Sequence, residues 1–409
     1  MGDVRDQSER LLAGQADPAF HPFTPLFEVE RLTDRAAFVS SFANVLAIDT
    51  DEGLVLVDVG SFFFAKPTKD LVRTFSKKQL HTAVYTHGHL DHVFGVTAYE
   101  EESGQKARVV GHRAIADRFD RYKLTAGYNA CINARQFQVE TPWPTNYRYP
   151  DVVFDDRLAL EVGGQRIELE HARGETDDHT FVFIPSQKIL ATGDLFIWAT
   201  PNAGNPQKVQ RYPGDWARAL RKMVSLEPEI LSPGHGPPIF GADRVRLALT
   251  ETAELLEHLV KETLARMNEG ASLDAVLSSV KAPKHLCDRP YLRPIYDEPE
   301  FIVRNVWRQF GGWWDGNPAR LKPGPDAAIA RELTALAGGA LPLIKRAEEL
   351  SASGEHTLAC HLVETAFQAS PDDREARAAR ARIYRARAGA ETSLMAKGIF
   401  TTAAKETET

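Results

Sequence analysis

Cysteine is scarce in this 409-residue chain: Cys131, Cys287 and Cys360 are the only three, far apart and odd in number. That usage excludes a disulfide framework and the paired spacing of a zinc ribbon. Long apolar runs are missing too. No stretch approaches the ~20 residues that a spanning helix needs, so no membrane span is expected. The first twenty residues are charged and lack an apolar centre, so no secretory signal is visible and a cytoplasmic location is the expectation. Nor is there a cationic surplus. The net charge is −7, whereas neutralising a nucleic-acid backbone needs clustered cations, and no nucleic-acid partner is expected. The one basic stretch, 374–387, is alanine-rich and reads as the solvated face of a helix.

What is present suits a soluble globular protein of two or three domains with sizeable cores, since 43% of the residues are hydrophobic. Punctuation divides the chain. Residues 1–24 are polar with scattered prolines and read as an extended arm. Short β-type runs and turns fill 25–242, with a hairpin signal at Gly163-Gly164 between Leu158-Ala159-Leu160 and Ile167-Glu168-Leu169. From Asp243 the pattern turns helical: Leu255, Leu256, Leu259, Val260, Leu264 and Met267 recur at three- and four-residue steps. Gly270 closes that helix and Ser272 caps the next. A proline-rich loop is expected over 283–300, overlapping a helix that starts after Asp297, carries Pro299 in its first turn and ends at Gly311-Gly312. Helices at 326–338, 341–351, 355–369 and 372–388 follow. The stretch 354–373 resembles a single tetratricopeptide-like hairpin, and one hairpin is no repeat array. The helical part is bounded at 243–395, and 396–409 reads as a polar tail.

The most informative stretch is Thr86-His87-Gly88-His89-Leu90-Asp91-His92, which follows the apolar run Ala83-Val84-Tyr85. Imidazoles and a carboxylate at this density suit a small divalent cation, not an anion. The spacing lets His87 and His89 face one ion while Asp91 and His92 turn toward a second. Other segments put a candidate ligand at or near the end of an apolar run: Leu54 to Asp58, Gly174-Glu175-Thr176, Ile189 to Asp194, and Leu231 to His235. Loops gather such side chains at one edge of a rigid sheet.

In this order the motifs resemble the metallo-β-lactamase superfamily over residues from about 25 to 242. The run Phe301 to Ala319, with Trp313-Trp314-Asp315-Gly316-Asn317-Pro318, resembles the start of the alkylsulfatase dimerisation domain. The resemblance implies an α/β fold: a metallo-β-lactamase αββα sandwich followed by an all-α dimerisation domain, and a homodimer. It implies two metal positions, the first held by His87, His89 and a residue of the 173–176 segment, the second by Asp91, His92 and His235, with Asp194 bridging. Where most of the superfamily has histidine, Glu175 stands here, as in the alkylsulfatase branch; His179 is the alternative ligand. Asp58 either fixes a ligand imidazole or forms the turn at its strand end.

Two cations ~3.5–4 Å apart can acidify a shared water to give hydroxide near neutral pH, with Asp91 and Asp194 as the catalytic carboxylates. Two zinc ions are implied, and iron or manganese also suit so carboxylate-rich a set. The implied activity is a metal-dependent hydrolase of small-molecule esters, alkyl sulfates first. A phosphoester, lactone or carboxylic ester is the alternative, and a metal-binding scaffold with little catalysis a third reading. Asn202, Lys208, Arg211 and Arg135 are the candidate substrate contacts. Sulfate-cleaving relatives carry a histidine after the bridging acid; none lies between Asp194 and Asn202, and Trp198 stands about where it would fall.

Overall fold

The computed structural model describes residues 4–16 and 21–407. Among them, seven strands form a first sheet in sequential order: β1 Val29–Arg31, β2 Ala36–Val39, β3 Val45–Thr50, β4 Gly53–Val57, β5 Leu80–Val84, β6 Arg108–His112 and β7 Val152–Phe154. A second sheet runs from β8 Arg157–Val162 through β9 Gln165–His171, β10 Thr180–Ile184, β11 Ile189–Ile197 and β12 Ile230–His235 to β13 Ile239–Phe240. The β4–β7 neighbours are parallel, as are β11 and β12. Helices make those crossovers, Ala65–Phe75 before β5 and Pro213–Val224 before β12.

Strand periodicity explains the layers. On β3 and β4, Leu46, Ile48, Val55 and Val57 point into the core between the sheets, while Val45, Ala47, Leu54 and Leu56 meet the outer helices. On β10, Val182 and Ile184 face inward and Phe181 and Phe183 outward. Side chains alternating between two buried faces make these strands uniformly apolar, the mark of a sheet covered on both sides. The result is the expected αββα sandwich. The β8–β9 hairpin turns at Gly163 and Gly164, with φ of 47° and 79°. Two successive positive φ values fit a type I′ turn, which glycine adopts without steric cost.

Beyond the sandwich the chain is helical. Ala242–Asn268 and Pro299–Gly311 lie over the outer face of the second sheet. Ala340–Ala352, His356–Ala369 and Arg374–Ala390 pack around Ile344, Ala359, Val363, Ala366 and Ala379. No single helix among the described residues is long and apolar enough to cross a membrane.

Two expectations differ from the structure. The arm over 1–24 is not simply extended, because Val4–Leu12 is a helix. Its Val4, Ser8 and Leu11 lie on one face and are buried, and a stripe of three small contacts is invisible in a composition that reads as polar. Residues 1–3 and 17–20 of that arm lie outside the described residues. The expected polar tail is also largely helical over Leu394–Lys405, starting at the cap Ser393. Gly398 lets this helix approach the helix Ala126–Phe137 so closely that a Cβ there would meet Gln136 O at 2.4 Å. Residues 408–409 of the tail lie outside the described residues.

Candidate metal centre

All seven candidate ligands sit at or near the C-terminal ends of parallel strands or in the loops beside them. His87 to His92 follow β5, and Leu90–Val93 forms one helical turn that carries Asp91 and His92. Glu175 lies in the β9–β10 loop, and His235 ends β12. Asp194 lies within β11, where the register slips beside Gly193. Gly193 has φ 49°, and a Cβ there would meet Thr86 Oγ1 at 2.5 Å, so this kink in β11 is reserved for glycine.

Ligand atoms converge in two groups, each within 4.8 Å: His87, His89, Glu175 and Asp194, and Asp91, His92 and His235. In the first, His87 Nε2 and His89 Nδ1 are 2.8 Å apart, and Glu175 Oε2 lies 3.5 and 3.3 Å from them. In the second, Asp91 Oδ2 is 3.3 Å from His235 Nε2 and 3.6 Å from His92 Nε2. Asp194 serves both, with Oδ2 3.9 Å from His87 Nε2 and Oδ1 3.3 and 3.5 Å from His92 Nε2 and His235 Nε2. His92 Nε2, Glu175 Oε2 and Asp194 Oδ1 are buried with no hydrogen-bond partner. Stranded polar atoms of this kind are costly unless a ligand completes them. The donor set of imidazoles and carboxylates fits a pair of divalent cations.

Charge alternates across the centre. Burial would raise the Asp194 carboxyl, but the His235 and His92 imidazoles hold it well below the usual carboxylate range. Burial likewise opposes ionisation of Asp91, which His92 and His235 hold at about 2. His235 is pushed up to about 10 because Asp194 and Asp91 outweigh its desolvation. His87 goes the other way: burial, then the neighbouring imidazoles of His92, His179 and His89, pull it well below its ordinary value. The His235 proton occupies a position that a bound cation would take, so metal binding releases it.

Contacts one step out fix the ligands. Asp58, with φ 58°, accepts hydrogen bonds from His92 Nδ1 at 2.7 Å and from the Thr86 N–H at 2.8 Å. It is therefore both the turn-former and the anchor of an imidazole. His235 Nδ1 donates to the Phe42 carbonyl. Asn202 Nδ2 donates to Glu175 Oε1, and Arg211 Nη1 lies 2.8 Å from the same oxygen. Asn202 and Arg211, expected as substrate contacts, are thus committed here to holding Glu175 so that its second oxygen faces the histidines. Beneath the His87–His89 turn, Arg118 Nε donates to Asp178 Oδ1 at 2.8 Å, and Asp178 Oδ2 accepts the Gly88 N–H at 2.8 Å.

The alternative ligand His179 belongs to neither ligand group. Its Nε2 accepts the Asp194 N–H at 3.2 Å, its ring stacks on His87, and burial holds it at about 4, so it stays neutral as that acceptor role requires. Trp198 is wholly buried against Phe196 and Tyr291 and donates to the Pro237 carbonyl, so it supports the β12 end and offers nothing to a leaving group. Arg135 pairs with Gln207. Lys208 is half-buried near the centre, its amine lowered to about 8 by burial and by Arg211 against the pull of Glu175 and Asp91.

Sequence reasoning missed Arg118, Asp178 and Tyr296. Arg118 sits on the stripe Ile115, Arg118, Phe119, Tyr122 of the helix Ala114–Leu124. A charge on an apolar stripe is the signal that marks it. Tyr296 lies in the proline-rich segment that reads as a loop. Its ring contacts Phe23, which in turn contacts His235, with centroids 5.0 and 5.1 Å apart.

Residues 40–235 match the profile of the metallo-beta-lactamase superfamily, and 272–409 match that of alkyl sulfatase dimerisation. A linear primary-alkylsulfatase from Pseudomonas sp. is 27% identical over 83% of this chain, which spans 69% of that relative's length. An (R)-specific secondary-alkylsulfatase, also from Pseudomonas sp., is 26% identical over 83% of this chain and 56% of its own length. The solved structure of a stereoselective inverting sec-alkylsulfatase from Pseudomonas sp. superposes with a TM-score of 0.83 at 23% identity, covering 93% of this chain and 65% of that one. The shared fold thus includes the helical part as well as the sandwich.

Proposed function

We propose, from a chain that belongs to the metallo-β-lactamase superfamily and carries an alkylsulfatase-type dimerisation domain, a homodimeric, dinuclear zinc hydrolase of alkyl sulfate esters. The observation that carries the reading is the split of Asp194 between two groups, one completed by a carboxylate, Glu175, that Asn202 and Arg211 hold in place. The names of the alkylsulfatase relatives support the substrate class.

His87, His89, Glu175 and Asp194 would hold one cation, and Asp91, His92, His235 and Asp194 the other. When bound, the pair supplies Lewis acidity for an ester oxygen and acidifies water at neutral pH. Zinc suits imidazole and carboxylate donors without a redox role. The protein's own part is orientation. Asp58 and the Phe42 carbonyl fix the tautomers of His92 and His235, leaving both Nε2 atoms toward Asp194. Lys208 adds a cation for the sulfate group. Asp91 also orients the attacking water.

A second reading, the same scaffold acting on a phosphoester, lactone or carboxylic ester, has one observation in its favour: no histidine lies between Asp194 and Asn202. The deciding experiment is release of inorganic sulfate from octyl sulfate by metal-loaded protein, with Asp91→Ala as control. Release by the parent protein and not by the variant is expected. No release with two cations bound per chain would sink the sulfate reading in favour of the other esters.

A further inference from the structure

A directional chain of hydrogen bonds ends on the phenol of Tyr296. It starts at a backbone amide, which can only donate: Gln207 N–H donates to Asn205 Oδ1 at 3.0 Å. That fixes the Asn205 amide, whose Nδ2 donates to Gln136 Oε1 at 3.3 Å. Gln136 is fixed in turn, and its Nε2 donates to the Tyr296 hydroxyl oxygen at 3.0 Å. An amide flip at either residue alone would set donor against donor, so the polarity of the chain is determined from its backbone end. Asn205 and Gln136 are both buried, which makes these bonds hard to exchange with water.

The consequence falls on Tyr296. Its oxygen already accepts, so its own proton is left to donate, and among the described residues no acceptor for it is present. The ring sits one aromatic contact from His235, across Phe23. Its backbone carbonyl accepts from Ser393 Oγ at 2.9 Å, and the neighbouring Ile295 carbonyl accepts the Leu394 N–H at 3.0 Å, so the C-terminal helix pins the segment. Burial, and then the carboxylates of Glu175, Asp91 and Asp194, push the phenol up, so it remains protonated at neutral pH.

We infer that Tyr296 is the proton donor to the bridging oxygen of the ester, aimed by Gln136 and Asn205. The inference rests on the sulfatase reading above. In the step it serves, water adds to sulfur and the bond from sulfur to the alkyl oxygen breaks with its electron pair on that oxygen. The oxygen takes the Tyr296 proton and departs as the alcohol. The phenolate regains a proton from the attacking water by way of solvent, and sulfate is left with one proton released overall. An alkoxide is a poor leaving group and needs this proton; a nitrophenolate does not. The assignment also accounts for the missing histidine beyond Asp194, since the donor comes instead from a distant segment of chain.

Tyr296→Phe keeps the ring against Phe23 and removes only the hydroxyl. General acids contribute on the order of 10²–10⁴-fold. The expected result is a kcat on octyl sulfate lowered by about a hundredfold or more, with little change on 4-nitrophenyl sulfate and with metal content equal to the parent protein. Gln136→Leu should show the same leaving-group dependence in weaker form. Equal losses on both esters, or no loss on octyl sulfate, would overturn the role. Parent protein that cleaves neither ester would instead overturn the sulfatase reading itself, an outcome distinct from parent activity with a uniform variant effect.

Discussion

Arg118 and Asp178 form a wholly buried ion pair directly beneath the metal-binding turn, and the oxygen of Asp178 not nearest Arg118 Nε accepts the Gly88 N–H. Arg118 also reaches Asp177, so a guanidinium from one helix ties the β9–β10 loop to the turn carrying His87 and His89. Two ligand loops are thereby set against each other by one cation.

Removing that cation should be expensive. Breaking a buried pair by deleting one partner strands the other charge, at a cost of about 3–5 kcal/mol. Arg118→Met is expected to lower unfolding stability by that amount in urea titration of metal-free protein. Arg118→Lys should recover only part of it, because a point charge cannot serve both carboxylates with the geometry of a guanidinium. A stability within error of the parent protein in Arg118→Met would refute this account of the turn.

The Glu175 carboxylate and the His179 ring make opposite predictions. Glu175→Gln keeps the contact to Arg211 through its amide oxygen and loses the anion facing His87 and His89. The cation held by the first group should then weaken by at least the 10–100-fold typical of losing a single outer contact. His179→Gln should retain two ions per chain. Metal content measured after dialysis against a graded chelator separates them. Loss of a cation from the His179 variant alone would reverse the ligand assignment.

Much of this was legible in the sequence. The H-x-H-x-D-H spacing pointed to a metal site, glycine and proline boundaries marked the helices beyond residue 243, and the resemblance to the metallo-β-lactamase superfamily implied the sandwich and the residues that the structure gathers into two ligand groups. What stayed hidden depends on long-range geometry. Nothing near Asn202 or Arg211 in sequence announces that both turn to Glu175, which lies 27 and 36 positions away. The resemblance sets Trp198 about where a histidine is expected, yet its bulk and the indole N–H are spent on the core and on the Pro237 carbonyl. The helix Leu394–Lys405 does carry apolar residues at helical spacing, Met395, Ala396, Ile399, Phe400 and Ala404, a short stripe that the polar residues around it obscured.

Asp58 illustrates how one residue satisfies two demands that sequence could not separate. Asn tolerates a positive φ almost as well as Asp, so Asp58→Asn should preserve the turn and the fold. It should nevertheless weaken the second cation by about 10–100-fold, because a neutral amide holds the His92 imidazole less firmly than a carboxylate. Unchanged melting temperature with reduced metal affinity is the expected pair of readings. A drop in stability with unchanged affinity would leave Asp58 as a turn-former only.

Lys208 gives the site a pH dependence. Its ammonium is lowered to about 8 by burial and by Arg211, while Glu175 and Asp91 pull the other way. A lowered value means the cation is complete below that pH and is lost as pH rises through it. Bound divalent ions offset the pull of Glu175 and Asp91, so in the loaded enzyme the loss falls at about 8 or lower. The specificity constant for octyl sulfate should therefore decline on the alkaline side with an apparent pKa no higher than about 8. Lys208→Arg keeps a positive charge that does not titrate in this range. Its profile should lose that limb while retaining activity at pH 7, whereas Lys208→Met should be weak across the whole range through a raised KM. An alkaline limb that persists unchanged in Lys208→Arg would assign it to another group and remove Lys208 from substrate binding.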